Sequence, residues 1–174
     1  MRNFLATIGL LAILAGAGAA VYFFGGFYSV GVTAHEPDIV RQALVGVRKA
    51  SVRRHATDAS PATRESPTLL RAGARAYLER GCTNCHGGPG VEWAKFSEGM
   101  RPDPPDLKEV AKERTPAELF WVIKNGINMT GMPGFGAAAD PELWSIVAFL
   151  KKLPAISDED FKAWTAAAPA AGKP

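Results

Sequence analysis

The chain has 174 residues, 47% of them hydrophobic, a formal net charge of +3 and two cysteines. That length allows one ordinary domain plus an appendage, the apolar share excludes a largely disordered chain, and two cysteines three positions apart exclude a disulfide framework. Residues 38–66 hold six Lys/Arg against three Asp/Glu, while residues 67–153 hold eleven against ten. The basic excess therefore lies ahead of the compact region, and a nucleic-acid-binding domain, which clusters Lys/Arg on the folded part, is not expected.

Residues 4–28 carry no charge and are rich in Leu, Ile, Ala, Gly and Phe. About 20 such residues suffice for a helix to cross the hydrocarbon core. Tyr22, Phe23, Phe24, Phe27 and Tyr28 crowd the C-terminal end, where aromatic rings suit the interface, and Arg2 ahead of the run favours an orientation that exports everything after Tyr28. A cleaved signal peptide is the rival reading, because Ala17-Gly18-Ala19 resembles a cleavage site. Against it, the apolar run continues through Val21-Tyr22-Phe23-Phe24, where a mature terminus should turn polar. Both readings export the rest of the chain.

Residues 37–55 predict an amphipathic helix. Val40, Leu44, Val47 and Ser51 fall on one stripe with Ile39 and Ala43 beside it, and Arg41, Arg48, Lys49, Arg53 and Arg54 lie largely off it. The stripe could cover a membrane surface or a partner, or pack on the domain that follows. His35 and His55, without ligand-spaced partners, are expected to be ordinary polar residues. Residues 56–66 form a polar linker, so residues 29–66 read as stalk and linker.

Three helices are expected in residues 67–156. Ser66-Pro67 opens one that runs to about Arg80, with Gly81 at its end. Thr115-Pro116 with Glu118 opens a second, ending at Asn125-Gly126. Asp140-Pro141 opens a third, which ends near Lys151-Lys152 before Pro154. Residues 157–174, starting with the acidic Asp158-Glu159-Asp160, read as a C-terminal tail, a short capping segment followed by disorder.

Cys82-Thr83-Asn84-Cys85-His86 is the motif that carries chemistry. C-x-x-C-H reads as covalent attachment of one c-type haem: two thiols add across the vinyl groups at one porphyrin edge, and the next residue sets an imidazole beneath the iron. A zinc knuckle would need two more ligands, and a thioredoxin-like pair would not require His86. His86 then supplies one axial ligand. For the other, Met132 in Gly131-Met132-Pro133-Gly134-Phe135-Gly136 is the first candidate, because Gly and Pro hold its loop extended. Met129 is the second, and core filling is the alternative role for either.

With these motifs in order, residues from about 67 to 153 resemble a class I monohaem cytochrome c domain, most closely the bacterial membrane-anchored cytochromes c with a GMPAFG-type methionine loop. Gly73 and Tyr77 precede Cys82-x-x-Cys85-His86-Gly87. Pro104-Pro105-Asp106-Leu107 follows, then Glu118 to Ile127 leading into the methionine loop, then Leu143-Trp144 to Phe149-Leu150. Gly134 departs from the family's usual Ala. The resemblance implies an all-α fold around one covalent haem c, with His86 and Met132 as iron ligands. It further implies that Gly73 lets the last helix approach, opposite Trp144 or Ala148, and that a carbonyl of Pro104 or Pro105 accepts from the His86 ring N–H. Trp93, Trp121 and Leu107 are candidate haem-pocket walls or ordinary core.

The expected activity is single-electron transfer without a small-molecule substrate, by a carrier or an electron-transfer subunit and not by an enzyme acting alone. The partners implied are redox proteins of the respiratory chain: a quinol-oxidising complex, a terminal oxidase or a periplasmic dehydrogenase. The expected location is the bacterial inner membrane, single-pass, with the haem domain on the periplasmic side. Two rivals are a gas sensor or haem enzyme with an open sixth site, disfavoured by the methionine loop, and a structural subunit whose haem is secondary.

Overall fold

The computed structural model describes residues 1–59 and 66–166, with every side chain among them except that of Arg2. Most of the expected 56–66 linker and the expected disorder after residue 166 lie outside the described residues. The chain divides into two units, Met1–Pro37 and Asp38–Pro174.

The first unit is helix α1 (Arg2–Phe24) and the turns after it. Among the described residues α1 is the one helix long and apolar enough to cross a membrane, and none of it is buried. Its 23 residues rise about 34 Å, enough for the roughly 30 Å hydrocarbon core. The helix stops four residues before the apolar run does. Gly26 takes φ +79°, the Phe27 N–H donates to the Tyr22 carbonyl at 3.1 Å, and the Tyr28 ring comes to rest 5.4 Å from that of Phe23.

The second unit is all-α, as expected, with no strand among the described residues. It comprises α2 (Asp38–His55), α3 (Pro67–Glu79), α4 (Cys82–His86), α5 (Leu107–Glu113), α6 (Pro116–Asn125), α7 (Asp140–Lys152) and α8 (Asp158–Thr165). Short 3-10 turns occupy Lys95–Gly99 and Leu153–Ala155. The predicted starts of α3 and α6 coincide with side-chain caps. Ser66 Oγ accepts from the Leu69 N–H at 3.1 Å. Thr115 and Glu118 form a reciprocal capping box, with bonds of 3.2 and 2.9 Å, that satisfies two otherwise orphaned N–H groups. Asp140 does not cap α7. Its carboxylate takes the Lys124 ammonium at 2.8 Å and so ties α6 to α7.

The core lies where α3 crosses α7. A Cβ on Gly73 would stand 2.0 Å from the Ser145 carbonyl oxygen and 2.9 Å from Phe149 Cβ, so only glycine admits this approach. The residues opposite Gly73 are therefore Ser145 and Phe149, and not Trp144 or Ala148 as expected. Trp144 instead stacks on Phe120 of α6, with ring centroids 4.1 Å apart and planes within 7°. At the C-terminal end of α7, Lys151 Nζ donates to the carbonyls of Ala111 and Arg114, closing the exposed end of α5.

Two elements depart from expectation. The segment after residue 156 begins with a helix that belongs to the core. Ser157 Oγ caps α8 by accepting from the Asp160 N–H at 3.0 Å, and Phe161 is buried against Tyr77 and Phe149, with centroids at 6.5 and 5.6 Å. Arg75 Nε adds a 2.7 Å bond to the Trp164 carbonyl. Helix α2 forms over the predicted residues, but its buried residue is Val52, while Ile39, Val40, Leu44 and Val47 are exposed. The predicted apolar stripe thus points away from the domain, and α2 meets α6 by its last turns, where His55 stacks on Trp121 at 5.9 Å.

Candidate haem-binding site

The C-x-x-C-H motif folds as α4, a five-residue helix joined to α3 by a tight reversal. Arg80 caps α3, Gly81 adopts the left-handed conformation at φ +72°, and α4 starts on the next residue. A Cβ is disfavoured there, and so this glycine lets two helices follow each other without a loop. Cys82, Cys85 and His86 are all half-buried, and no disulfide joins the two cysteines. Burial pushes the Cys82 thiol up to about 11, with the Cys85 side chain adding to the effect, so the unattached side chain stays protonated at neutral pH.

Behind α4 stands Tyr77, which the sequence places four residues after Gly73. Its ring is buried in the core and its hydroxyl donates to the Gly87 carbonyl at 2.8 Å. Burial raises its phenol far above the ordinary value, as do the neighbouring Cys82, Asp106 and Cys85, and it therefore acts as a neutral donor throughout the accessible pH range. Gly87 itself has φ +63°, and a Cβ there would press within 2.9 Å of the Val91 carbonyl oxygen. The chain leaving His86 is held further by the Gly87 N–H, which donates to the Thr83 carbonyl at 2.9 Å, and by the Gly88 N–H, which donates to the Val91 carbonyl at 2.8 Å.

The His86 Nδ1 lies 3.0 Å from the Pro105 carbonyl oxygen. A carbonyl only accepts, so the proton sits on Nδ1 and the lone pair on Nε2. Burial holds the imidazole below its ordinary pKa, and the Pro105 carbonyl, which favours protonation, offsets this only in part. Between Pro104 and Pro105 the structure thus selects Pro105. What fixes that carbonyl is α5: Asp106 Oδ1 accepts from the Lys108 N–H at 2.8 Å and starts the helix directly after it. An Asp at a helix start is a readable signal, but seven residues are too few for a periodic pattern.

The methionine loop is laid over the C-terminal end of α6. The Ile127 N–H donates to the Met132 carbonyl at 3.2 Å and the Phe135 N–H to the Ile123 carbonyl at 3.1 Å. Gly126, at φ +69°, passes so close that a Cβ would meet Met132 O and Gly134 N at 2.7 Å. Gly134 is equally constrained, since a Cβ would stand 2.8 Å from the Asn125 carbonyl group. That packing demand at Gly134 was not readable from the sequence. Met132 is half-buried, with its N–H bonded to Thr130 Oγ1 at 3.1 Å, whereas Met129 is 92% exposed at φ +58°. Met100 Sδ would lie 2.9 Å from a Cβ on Gly131, placing a second thioether beside the loop.

The remaining candidates are scattered. Leu107 is half-buried and packs on the core. Trp93 lies along Gly87, with a ring carbon 3.8 Å from where a Cβ would be. Trp121 is half-buried, and one of its ring contacts is His55 at the end of α2. The donor set fits a covalent haem c: two thiols and a neutral imidazole on one short helix, the imidazole held at one nitrogen and free at the other. Among the described residues no cluster of three or more His, Cys, Asp or Glu forms another metal site.

Residues 68–150, a little under half of the chain, match the family model described as "Cytochrome C oxidase, cbb3-type, subunit III". No curated protein and no solved structure matches the chain.

Proposed function

We infer from the family match over residues 68–150 and the Cys82-Cys85-His86 geometry that this region is a cytochrome c domain, its cofactor covalent haem c and its chemistry electron transfer. We propose, from that premise, that the chain is a membrane-anchored carrier or electron-transfer subunit passing single electrons between respiratory redox partners, with Cys82 and Cys85 attaching the haem and His86 and Met132 as iron ligands. One-electron exchange between Fe(II) and Fe(III) is what the haem supplies when bound. The observation that carries the reading is the 3.0 Å contact of His86 Nδ1 with the Pro105 carbonyl, which orients the ring and leaves Nε2 as the donor.

The roles of the other residues follow. Tyr77 pins the chain directly after His86, and Asp106 and Lys151 brace the α5 segment that carries the Pro105 carbonyl. Met132 is the ligand of choice over Met129, because its loop is bonded to Ile123 of α6 and to Ile127 just beyond it, and the Met129 side chain is in solvent. Residues 1–28 act as the anchor, in the inner membrane of a bacterium, with the haem domain on the periplasmic side. The family description names an oxidase subunit, which favours a terminal oxidase among the partner classes.

The test is an absorption spectrum of the reduced, detergent-extracted protein before and after carbon monoxide. The expected result is no change for the natural chain and for Met129→Leu, and a carbonyl spectrum for Met132→Leu. A carbonyl spectrum in the natural chain would mean an open sixth position, and the sensor or enzyme reading would replace the carrier.

A further inference from the structure

Helix α2 has two faces. Its domain-facing side runs through the half-buried Val45 and the buried Val52. On the opposite side Ile39, Val40, Ala43, Leu44 and Val47 share an arc of roughly 140° at 100° per residue. That arc is bare: Ile39 is 78% exposed, Leu44 57% and Val47 67%. Arg41 and the half-buried Arg48 border it on one edge, and Lys49 and Arg53 lie toward the other, where they also line a cleft with Glu113 and Glu118. The only acidic residue of the helix, Asp38, is paired with Arg41 at 2.9 Å.

We propose that this face lies in the headgroup region of a membrane surface carrying anionic lipid, with the flanking Arg and Lys on the lipid phosphates. Three observations favour this occupant. An apolar arc with cations on both flanks matches the layered chemistry of an anionic interface, acyl chains beneath phosphates. A second copy of the helix on the same face would bring two sets of five Lys/Arg together, and like charge opposes that pairing. Thirteen residues separate Phe24 from Asp38, a reach of at most about 45 Å. If α1 spans the bilayer, as proposed above and as this inference assumes, that tether keeps the start of α2 within the same distance of the end of α1. Because the last turns of α2 are fixed on α6, docking orients the haem domain as well as tethering it.

The experiment is amide hydrogen exchange on the full-length, haem-loaded chain in nanodiscs, one chain per disc, in phosphatidylcholine alone and in phosphatidylglycerol-rich lipid. The expected result is exchange about tenfold slower over residues 39–47 in the anionic discs. High salt should abolish the difference, as should the surface variant Leu44→Ser/Val47→Ser, whose positions make no demand on the fold. Arg41→Glu/Arg48→Glu should do the same through charge alone. Equal exchange in the two lipids overturns the proposal, as does slowing that requires two chains per disc, which would assign the face to a second copy. Peptides from α1 report separately. Protection of α1 in both lipids upholds the anchor whatever α2 does, and unprotected α1 with lipid-dependent α2 would remove the anchor and keep the docking face.

Discussion

Helix α3 buries Gly73, Ala74, Ala76 and Tyr77, mostly small side chains, whereas helix α2 has Ile39, Val40, Leu44 and Val47 and exposes all four. The more apolar stripe belongs to the helix that buries less. Burial in α3 comes from what the small residues permit, which is contact of its backbone with that of α7 at Gly73 and Ser145. In α2 the buried side chain, Val52, lies off the predicted stripe, and the stripe reaches the domain only at its C-terminal end, where Ser51 is half-buried and His55 meets Trp121. Amphipathicity thus reports that a helix has a face to cover, and the neighbouring element decides which face it covers.

The comparison can be sharpened from the core outward. Phe161→Ala should cost about 4 kcal/mol in chemical denaturation, because a fully buried ring between Tyr77 and Phe149 leaves a cavity. A cost below about 1 kcal/mol would return α8 to the status of a tail and remove it from the core side of the comparison. Gly73→Ala should cost about 3 kcal/mol, since the new methyl group cannot fit without parting α3 from α7.

The acid response separates the two regions next. Burial raises the Glu118 carboxyl, but the Thr115 N–H and the Arg114 guanidinium together hold it below its ordinary value near 4.5. A carboxyl lowered in the folded state contributes stability that is complete above the unfolded value and is lost as pH falls through the folded one. Glu118→Gln keeps an acceptor for the Thr115 N–H and loses the charge. It should be less stable than the natural chain at pH 7 by less than either core variant, and the gap should close below pH 4. Glu142 follows the same rule, held low by Arg80, which bonds it at 2.7 and 3.0 Å. A gap that stays constant with pH would mean the Arg114 pairing is not what stabilises the folded state.

The smallest effect has the opposite sign. A Cβ on Gly46, in the middle of α2, would meet nothing within 4 Å. Gly46→Ala should strengthen α2 by up to about 1 kcal/mol, read as slower amide exchange there. One substitution, glycine to alanine in mid-helix, should thus destabilise α3 and stabilise α2. A loss at Gly46 would show that α2 is packed where it looks bare.

Local chemistry made several features readable in advance. The caps at Ser66 and Thr115, the stop at Gly81, the apolar α1 run and the Cys82-Cys85-His86 spacing each depend on a few adjacent residues. Other features were hidden because they join distant segments. Pro104 and Pro105 are equivalent neighbours until the direction of one carbonyl toward His86, nineteen residues away, distinguishes them. Gly134 looks like a harmless variant until Asn125 occupies the space of its missing methyl group. Helix α5 is too short to show a period, and α8 was legible as a short capping segment but not as core.

The sequence by itself determined the all-α architecture, the helix starts and the covalent haem motif, because capping bonds, helical periodicity and thiol spacing are properties of neighbouring residues. Only the tertiary structure decided the partners of Gly73, the carbonyl that orients His86, the seat of the methionine loop and the exposed face of α2. Those depend on how closely backbones distant in the chain approach one another, and approach is governed by the volume between elements, which no single segment contains.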